Sequence, residues 1–487
     1  MRRIFWYSIL ALVVGAALRL LFVLMFPAGS GDTVIYDQLA TNWLKHGKYA
    51  MDVAGQPLSV DIRMPGYPAF LASIFALTRK TGDAAHRAVM LAQIFVDLVT
   101  CLVIAALAAL LSRCYAPRES PEDSPRTRRV FFGALWLAVL CPFTANYVAV
   151  PLTETWALFF TAAATLAFVC LLFDPVERHH LPSLFPCRIS PSALAFVAGL
   201  VLGAGTLFRP ETPLLLATAL IILAVLLLRR HQPMRLVRLT ALLLFGAALP
   251  LVPWTIRNAI TLHEFQPLTP EDATLPGELD PKGFMAWERT WLYRVRDCYL
   301  VPWKLNDEVI NIDDIPTSAF DTPDERARIA SALDSYNEDL SFTADEDAVF
   351  AQVAAERTAR HPLRTYLWIP LRRAVRIWFT PRIELLPVSG HVFPLAYMNE
   401  EDPVDQRVTI FLFFLNIAYV GLGLWGACCL WACKAVRPAV GLILLYMLLR
   451  TVLLTTLETP EPRYVLECFP ALIAMAAQLF GHRSARS

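Results

Sequence analysis

Six charged residues stand where apolar runs meet polar ones, and they fall into two chemical groups. Asp32 in "GSGDTVIYDQLATNWLKHG" (residues 29–47) and Glu154 in "PLTETWAL" are carboxylates, suited to act as a base toward a hydroxyl. Arg63 in "DIRMPGYP", Arg209 in "LFRPETP", Arg257 in "PWTIRN" and Arg463 in "EPRY" are guanidiniums, whose planar fork of donors fits the oxygens of a phosphate. Each also has a plainer reading. Asp32 sits where the N-cap of a helix over Val34–His46 belongs, with Ile35, Leu39 and Trp43 on one face and Gly47 ending the pattern. A cap is worth about 1 kcal/mol, and a capped carboxylate is also a rigidly aimed one. Arg63 could snorkel to a lipid phosphate. Glu154 suits the first turn of a helix capped by Thr153 or Thr155. Any one arginine at the aqueous end of a helix is an anchor by default. Three of them on one face with two acids are harder to assign to anchoring alone.

These residues have to be carried by membrane helices. The chain has 487 residues, 56% of them hydrophobic and only 17% charged, and its mean hydropathy is +0.48. A soluble protein averages about a quarter charged, so the expected class is an all-α polytopic membrane protein. The net charge of +1 provides no field for nucleic acid, which is excluded as a partner. Of ten cysteines only Cys298 lies in the long hydrophilic segment, so no disulfide framework is implied.

Apolar runs long enough to cross a bilayer fall near 4–26, 86–112, 131–150, 155–173, 192–208, 212–228, 239–256, 408–432, 438–457 and 462–480, about ten transmembrane helices. No small-x-small cleavage site follows the first run, which reads as a retained helix. Arginines and lysines crowd alternate connections: Arg2 and Arg3, the 113–129 stretch, Arg178 and Arg188, the 229–238 stretch, Lys434 and Arg437, Arg483 and Arg486. The positive-inside rule puts these connections and both termini in the cytoplasm. The six site candidates then share the opposite face.

Two apolar stretches are expected to lie on that outer interface rather than to cross. Residues 64–79 are short and begin with a Pro-Gly turn. Residues 363–382 carry Arg364, Arg372, Arg373, Arg376 and Arg382, each costing about 2.5–3.5 kcal/mol at a helix centre. Within the spans Asp97 and Arg450 are the deep charges singled out, and a mutual ion pair is the expected arrangement. Residues 257–362 form the one sizeable aqueous insert, with "TPDERARIASALDSY" and "TADEDAVFAQVAAERTARH" acidic at their starts and basic toward their ends, the order a helix dipole favours. The expected organisation is a transmembrane module over 1–256 with a first extracytoplasmic loop at 27–85. An extracytoplasmic helical domain over 257–407, including the interfacial helix 363–382, and C-terminal transmembrane helices over 408–487 complete it.

The motifs "GDTVIYDQLATNWLKHGKYA", "RMPGYPAF", "LTETWALF", "FRPETPLL", "PWTIRN" and "EPRYVLECFPAL", in that order, resemble a GT-C type membrane glycosyltransferase. They are most similar to bacterial relatives of dolichyl-phosphate-mannose protein mannosyltransferases and lipid A aminoarabinose transferases. The similarity runs over roughly 1–262 and 408–480. It implies a GT-C-like fold in a bacterial inner membrane and an extracytoplasmic site. The donor would be a polyprenyl-phosphate-linked sugar, and the acceptor a hydroxyl on a lipid, glycan or protein.

Asp32, four residues before Tyr36, matches the family's loop aspartate, which implies that it is the base or orients the acceptor. Glu154 would be the second acidic position. Arg63 falls where many relatives have a lysine that contacts the donor phosphate. Arg209, Arg257 and Arg463 would join it there, and Tyr36 and Tyr67 would contact substrate. Two departures stand out. Thr33 replaces the second acid that often follows the aspartate, which weakens a two-carboxylate metal site, and Arg63 presents a fork where lysine presents a point charge. A divalent ion, Mg2+ or Mn2+, is left open, with Asp32 and Glu154 ligating it or neither doing so. The rival readings are a lipid or glycan transporter or flippase, which would want broken mid-membrane helices and an internal repeat, and an O-antigen ligase or polymerase-like enzyme.

Overall fold

The structure, a computed structural model, describes residues 2–112, 125–173, 189–270, 274–275, 278–388, 390, 392 and 403–481. The described elements are almost entirely helical. Helix α1 (Arg2–Met25) is followed by α2 (Gly31–His46), a two-stranded hairpin of β1 (Ala50–Val53) and β2 (Gln56–Ser59), and α3 (Gly66–Thr78). The hairpin pairs Ala50 with Ser59 and Val53 with Gln56. Its turn residues Ala54 and Gly55 both take positive φ (50° and 78°), the geometry a two-residue hairpin turn demands. Then come α4 (Asp83–Ser112), α5 (Pro125–Val139), the short α6 (Pro142–Ala145), α7 (Glu154–Leu172), α8 (Pro191–Thr206), α9 (Pro213–Arg229), α10 (Pro233–Ala248) and α11 (Val252–Thr261).

Among the described residues seven helices are long and apolar enough to cross a membrane: Trp6–Met25, Asp83–Ser112, Glu154–Leu172, Pro233–Thr261, Pro403–Trp431, Arg437–Thr456 and Pro462–Gly481. An eighth span would be the pair Pro125–Val139 and Pro142–Ala149, bent by 51°. The run expected as one helix over 131–150 is thus two pieces, because Pro142 cannot extend the i→i−4 ladder and sits instead at the start of the next helix. The remaining two expected spans are helices of 16 and 17 residues, α8 and α9, shorter than the roughly 20 needed to cross upright.

The chain divides into two compact units, one of residues 1–273, 381–447 and 466–487, the other of residues 274–380 and 448–465. In the first, Phe22, Val23, Met90, Ala145, Val148 and Ala149 form a buried cluster that ties α1 and α4 to the turn before α7. Charge is buried here as well, but not in the expected pairing. Asp97 binds Arg19 (Nε to Oδ2, 2.5 Å), whose Nη1 donates to the carbonyls of Val139 (2.6 Å) and Gly15 (3.1 Å). Arg450 belongs to the second unit, where its Nε donates to the Tyr464 carbonyl.

The second unit contains α12 (Lys282–Arg289), α13 (Val295–Leu300), α14 (Pro323–Asp339), α15 (Ala344–Arg360) and α16 (Ile369–Trp378), the last entered through one π-helical turn at Arg364–Trp368. Thr322 caps α14, and a reciprocal Thr343–Glu346 box caps α15, whose last turn carries Arg357 and Arg360. Phe284, Trp287, Trp291, Tyr336, Phe342 and Phe350 fill its core. Buried Arg357 joins Glu325 (3.0 Å), Asp321 (3.2 Å) and the Thr290 hydroxyl (2.9 Å). The helix expected over 363–382 keeps exposed Leu367, Trp368, Leu371 and Val375 on one face. On the other, Arg373 is buried, with Nε donating to the Leu292 carbonyl at 2.7 Å. The remaining helices are α17 (Pro403–Trp431), α18 (Arg437–Thr456) and, after a 3-10 segment at Pro462–Cys468, α19 (Phe469–Ala476).

Candidate active site

The segment bearing Asp32 is fixed at two points. Ser30, not Asp32, is the N-cap of α2: its hydroxyl accepts from the Thr33 N–H, and Thr33 Oγ1 accepts in return from the Ser30 N–H. Asp32 lies instead in the first turn, where a carboxylate gains from the helix dipole without being consumed as a cap. Thr33, at the position where an acid was expected, has a structural use, since its hydroxyl donates to the Pro151 carbonyl (3.2 Å). Together with the Ala28 N–H bond to the Ala149 carbonyl (2.9 Å), this joins the segment before α2 to the turn that leads into Glu154.

Arg63 arrives from the other end of the same loop. Its Nη2 donates to Asp32 Oδ1 at 2.9 Å, and its Nη1 to the Ile62 carbonyl at 3.0 Å. The Tyr49 hydroxyl donates to the Arg63 carbonyl (2.8 Å) and so holds its backbone. Three residues on, the Gly66 N–H donates to the Leu207 carbonyl (2.7 Å). A Cβ at Gly66 would sit 2.5 Å from that oxygen, so only glycine permits the approach. The Arg63 turn is thereby fastened two residues from Arg209.

Glu154 opens α7, 3% exposed, with Thr153 at the N-cap position. Neither Thr153 nor Thr155 caps the helix in the expected way. Thr153 makes no capping bond, and its Oγ1 accepts from Arg209 Nε (3.1 Å). Arg209 Nη2 donates to Glu154 Oε1 at 2.5 Å, and Arg209 Nε lies 3.8 Å from Glu467 Oε1. Glu467, 4% exposed, accepts from the hydroxyls of Thr161 (3.2 Å) and Tyr446 (3.3 Å). Sequence reasoning passed over Glu467. The rule that flagged Asp97, an ionisable residue within an apolar run, applies to it equally.

The candidate residues Asp32, Arg63, Glu154 and Arg209 thus form two acid–arginine pairs, and both act on Tyr36. Burial, and then the Asp32 carboxylate, push the Tyr36 phenol up to about 12; Arg63 and Arg209 pull it down and Glu154 raises it. All four charges act on this one side chain, which is buried with its ring 5.0 Å from that of Tyr67. Tyr67 is wholly enclosed, and its hydroxyl donates to Gln93 Oε1 (2.8 Å). Gln93 in turn donates to the carbonyls of Val148 and Val150. The geometry of Tyr67 suits support of Tyr36 rather than direct contact with substrate.

The other two expected arginines have partners of their own. Arg257 clamps the hairpin, donating to the carbonyls of Val60 (2.8 Å) and Tyr49 (2.7 Å) with the Tyr49 and Trp254 rings against its guanidinium, and it contacts neither acid. A cavity of about 370 Å3 opens beside it, walled by Trp43, Tyr49, Leu207 and Trp254 and reaching Pro65 and Gly66. Arg463 belongs to the second unit, where it pairs with Glu461 (2.5 Å).

Asp32 and Glu154 each have a guanidinium beside them. The metal-ligand-like grouping among the described residues is Asp37, Asp83 and His86. There both ring nitrogens of His86 face carboxylates (2.7 and 3.4 Å), which suits an imidazolium as well as a ligand.

No protein-family model matches the chain, and no curated protein does. Among solved structures it is similar to the oligosaccharyltransferase AglB of the archaeon Archaeoglobus fulgidus. The form in complex with an inhibitory peptide and a dolichol-phosphate is 12% identical with a TM-score of 0.47, and the match covers 97% of this chain and 50% of that one. For the apo form the values are 13%, 0.48, 97% and 50%. This chain spans about half the length of those proteins.

Proposed function

We propose that the chain is a membrane glycosyltransferase of the GT-C type. It moves a sugar from a polyprenyl phosphate to an acceptor hydroxyl on the extracytoplasmic side, by direct displacement with inversion at the anomeric carbon. The observation that carries this reading is the pairing of Asp32 with Arg63 and of Glu154 with Arg209, from four separate turns that the Thr33–Pro151 and Gly66–Leu207 bonds fasten to one another.

The chemistry asks for little else. A sugar bound to a phosphate departs from an oxygen that leaves as a stabilised anion, so no general acid is required. A cation has to meet the charge as it develops, and Arg63, a quarter exposed, supplies it. Asp32 takes the acceptor proton. A single base attacking opposite the leaving group inverts the centre, as in inverting glycosidases. Arg209, buried between Glu154 and Glu467, acts through Glu154: it holds that carboxylate in place, and Glu154 orients the acceptor. The apolar cavity that reaches Pro65 and Gly66, next to the Arg63 turn, suits a segment of the prenyl chain.

The test is incubation of the purified chain in lipid vesicles with a polyprenyl phosphate carrying a radiolabelled sugar and a panel of acceptors. The expected result is label moved to an acceptor together with stoichiometric free polyprenyl phosphate. Label that crosses the bilayer with its bond to phosphate intact would instead establish a transporter.

A further inference from the structure

The two acid–arginine pairs differ in a way that assigns them different duties. In the Arg209–Glu154 pair the side chains are 8% and 3% exposed, and the arginine is also held by Thr153 and faced by Glu467. Opening it would strand charge away from water, at a high cost. In the Arg63–Asp32 pair the side chains are 25% and 23% exposed. A partly solvated pair of this kind holds together far more weakly. The first pair stays closed during turnover and the second can open.

We propose that Asp32 and the donor phosphate compete for the Arg63 guanidinium, so that arrival of the phosphate releases the base. This rests on the glycosyl-transfer reading above. The backbone of Arg63 is held by Tyr49 and by the Gly66–Leu207 bond, so exchange of partner needs only a swing of the side chain. The donor phosphate, a diester, offers two non-bridging oxygens to the fork, whereas Asp32 Oδ1 takes the bond from Nη2. Asp32 is not left unsupported by the exchange, because its place in the first turn of α2 keeps it at the positive end of the helix.

Once the guanidinium has moved to the phosphate, the carboxylate oxygen that Arg63 held can accept from the acceptor hydroxyl. The acceptor O–H then gives its proton to Asp32. The acceptor oxygen bonds to the anomeric carbon, and the carbon–oxygen bond to the phosphate breaks, its electron pair leaving with the phosphate oxygen against Arg63.

The experiment titrates farnesyl phosphate into the full chain in detergent, read by intrinsic tryptophan fluorescence. Asp32→Asn is expected to bind about two- to fivefold more tightly than the unaltered chain, the fold-change that loss of a competing partly exposed pair implies. Arg63→Ala is expected to bind roughly tenfold or more weakly, and adding Asp32→Asn to it should give no further tightening. Asp32→Ala serves as a second variant, and because Ser30 provides the cap neither change should unwind α2. If Asp32→Asn binds no more tightly while Arg63→Ala still loses affinity, competition is refuted and the phosphate role of Arg63 stands. If Arg63→Ala binds as the unaltered chain does, the glycosyl-transfer reading of Arg63 fails, and the competition with it.

Discussion

Arg209 gives the strongest single perturbation of the site. Replacing it by methionine keeps much of the side-chain volume and removes the cation that donates to Glu154 at 2.5 Å and faces Glu467 at 3.8 Å. Both acids are nearly inaccessible, at 3% and 4% exposed. Removing one member of a buried ion pair costs about 3–5 kcal/mol, most of it the penalty on the charge left behind. At about 2–4 °C per kcal/mol for a domain of 150–250 residues, and less for a larger one, Arg209→Met should lower the melting temperature by roughly 5–15 °C. Differential scanning fluorimetry of the detergent-solubilised chain reads this directly. The reasoning makes a second demand. Arg209→Met combined with Glu154→Gln should recover part of the loss, because a neutral pair no longer strands a carboxylate, and the coupling between the two changes should be about 1–3 kcal/mol. Arg209→Met melting with the unaltered chain, or losses that simply add, would refute the buried pair and with it the view that Glu154 is held in place by Arg209.

Three further outcomes follow from the same geometry. Gly66→Ala should destabilise the chain by about 1–3 kcal/mol, because the added methyl group meets the backbone carbonyl of Leu207 at 2.5 Å rather than a side chain that can move, and a melting curve would show it. Arg19→Met should cost about 3–5 kcal/mol and be partly rescued by Asp97→Asn; pairing of Asp97 with any other cation would leave the Arg19 variant unaffected. The second unit should be acid-sensitive. Burial raises Asp321 and Glu325, but hydrogen bonds from Arg364 to the first, and from the Asp321 N–H, Arg360 and Arg357 to the second, outweigh it, so both stand below their ordinary values. A lowered carboxylate contributes its stability in full above the unfolded value and loses it as pH falls through the folded one. Melting of this unit should therefore fall as pH drops below about 4.5 and hold steady above it, and Arg357→Gln should flatten the dependence.

Much of the architecture was legible because apolar length and helical periodicity act over many residues and tolerate local error. Every run expected to cross the membrane is helical, and the acidic starts of α14 and α15 mark real capped helices. Failures occurred where the decision rests on a single residue. In "GSGD" both Ser30 and Asp32 are good caps, and Ser30 prevails because Thr33 can answer it reciprocally, a pairing less familiar than Ser with Glu. Arg19 and Glu467 lie in runs whose mean hydropathy hides one charge, so the partner of Asp97 and the second acid at Arg209 were passed over. The hairpin at 50–59 is too short for alternation to announce it, and without the hairpin nothing indicates that Arg257 is committed to its two carbonyls. The second unit also includes residues 448–465, far along the chain from its other segment, a pairing that periodicity does not encode.

The account depends most on Asp32 being the base that takes the acceptor proton. Its direct test is single-turnover transfer from a polyprenyl-phosphate sugar by the Asp32→Asn chain, with donor affinity measured on the same sample. Loss of general-base assistance is worth about 10²–10⁴-fold in rate. Transfer slowed by at least about 100-fold, with donor binding retained or tightened, is the predicted result. Transfer at an undiminished rate by Asp32→Asn would contradict it.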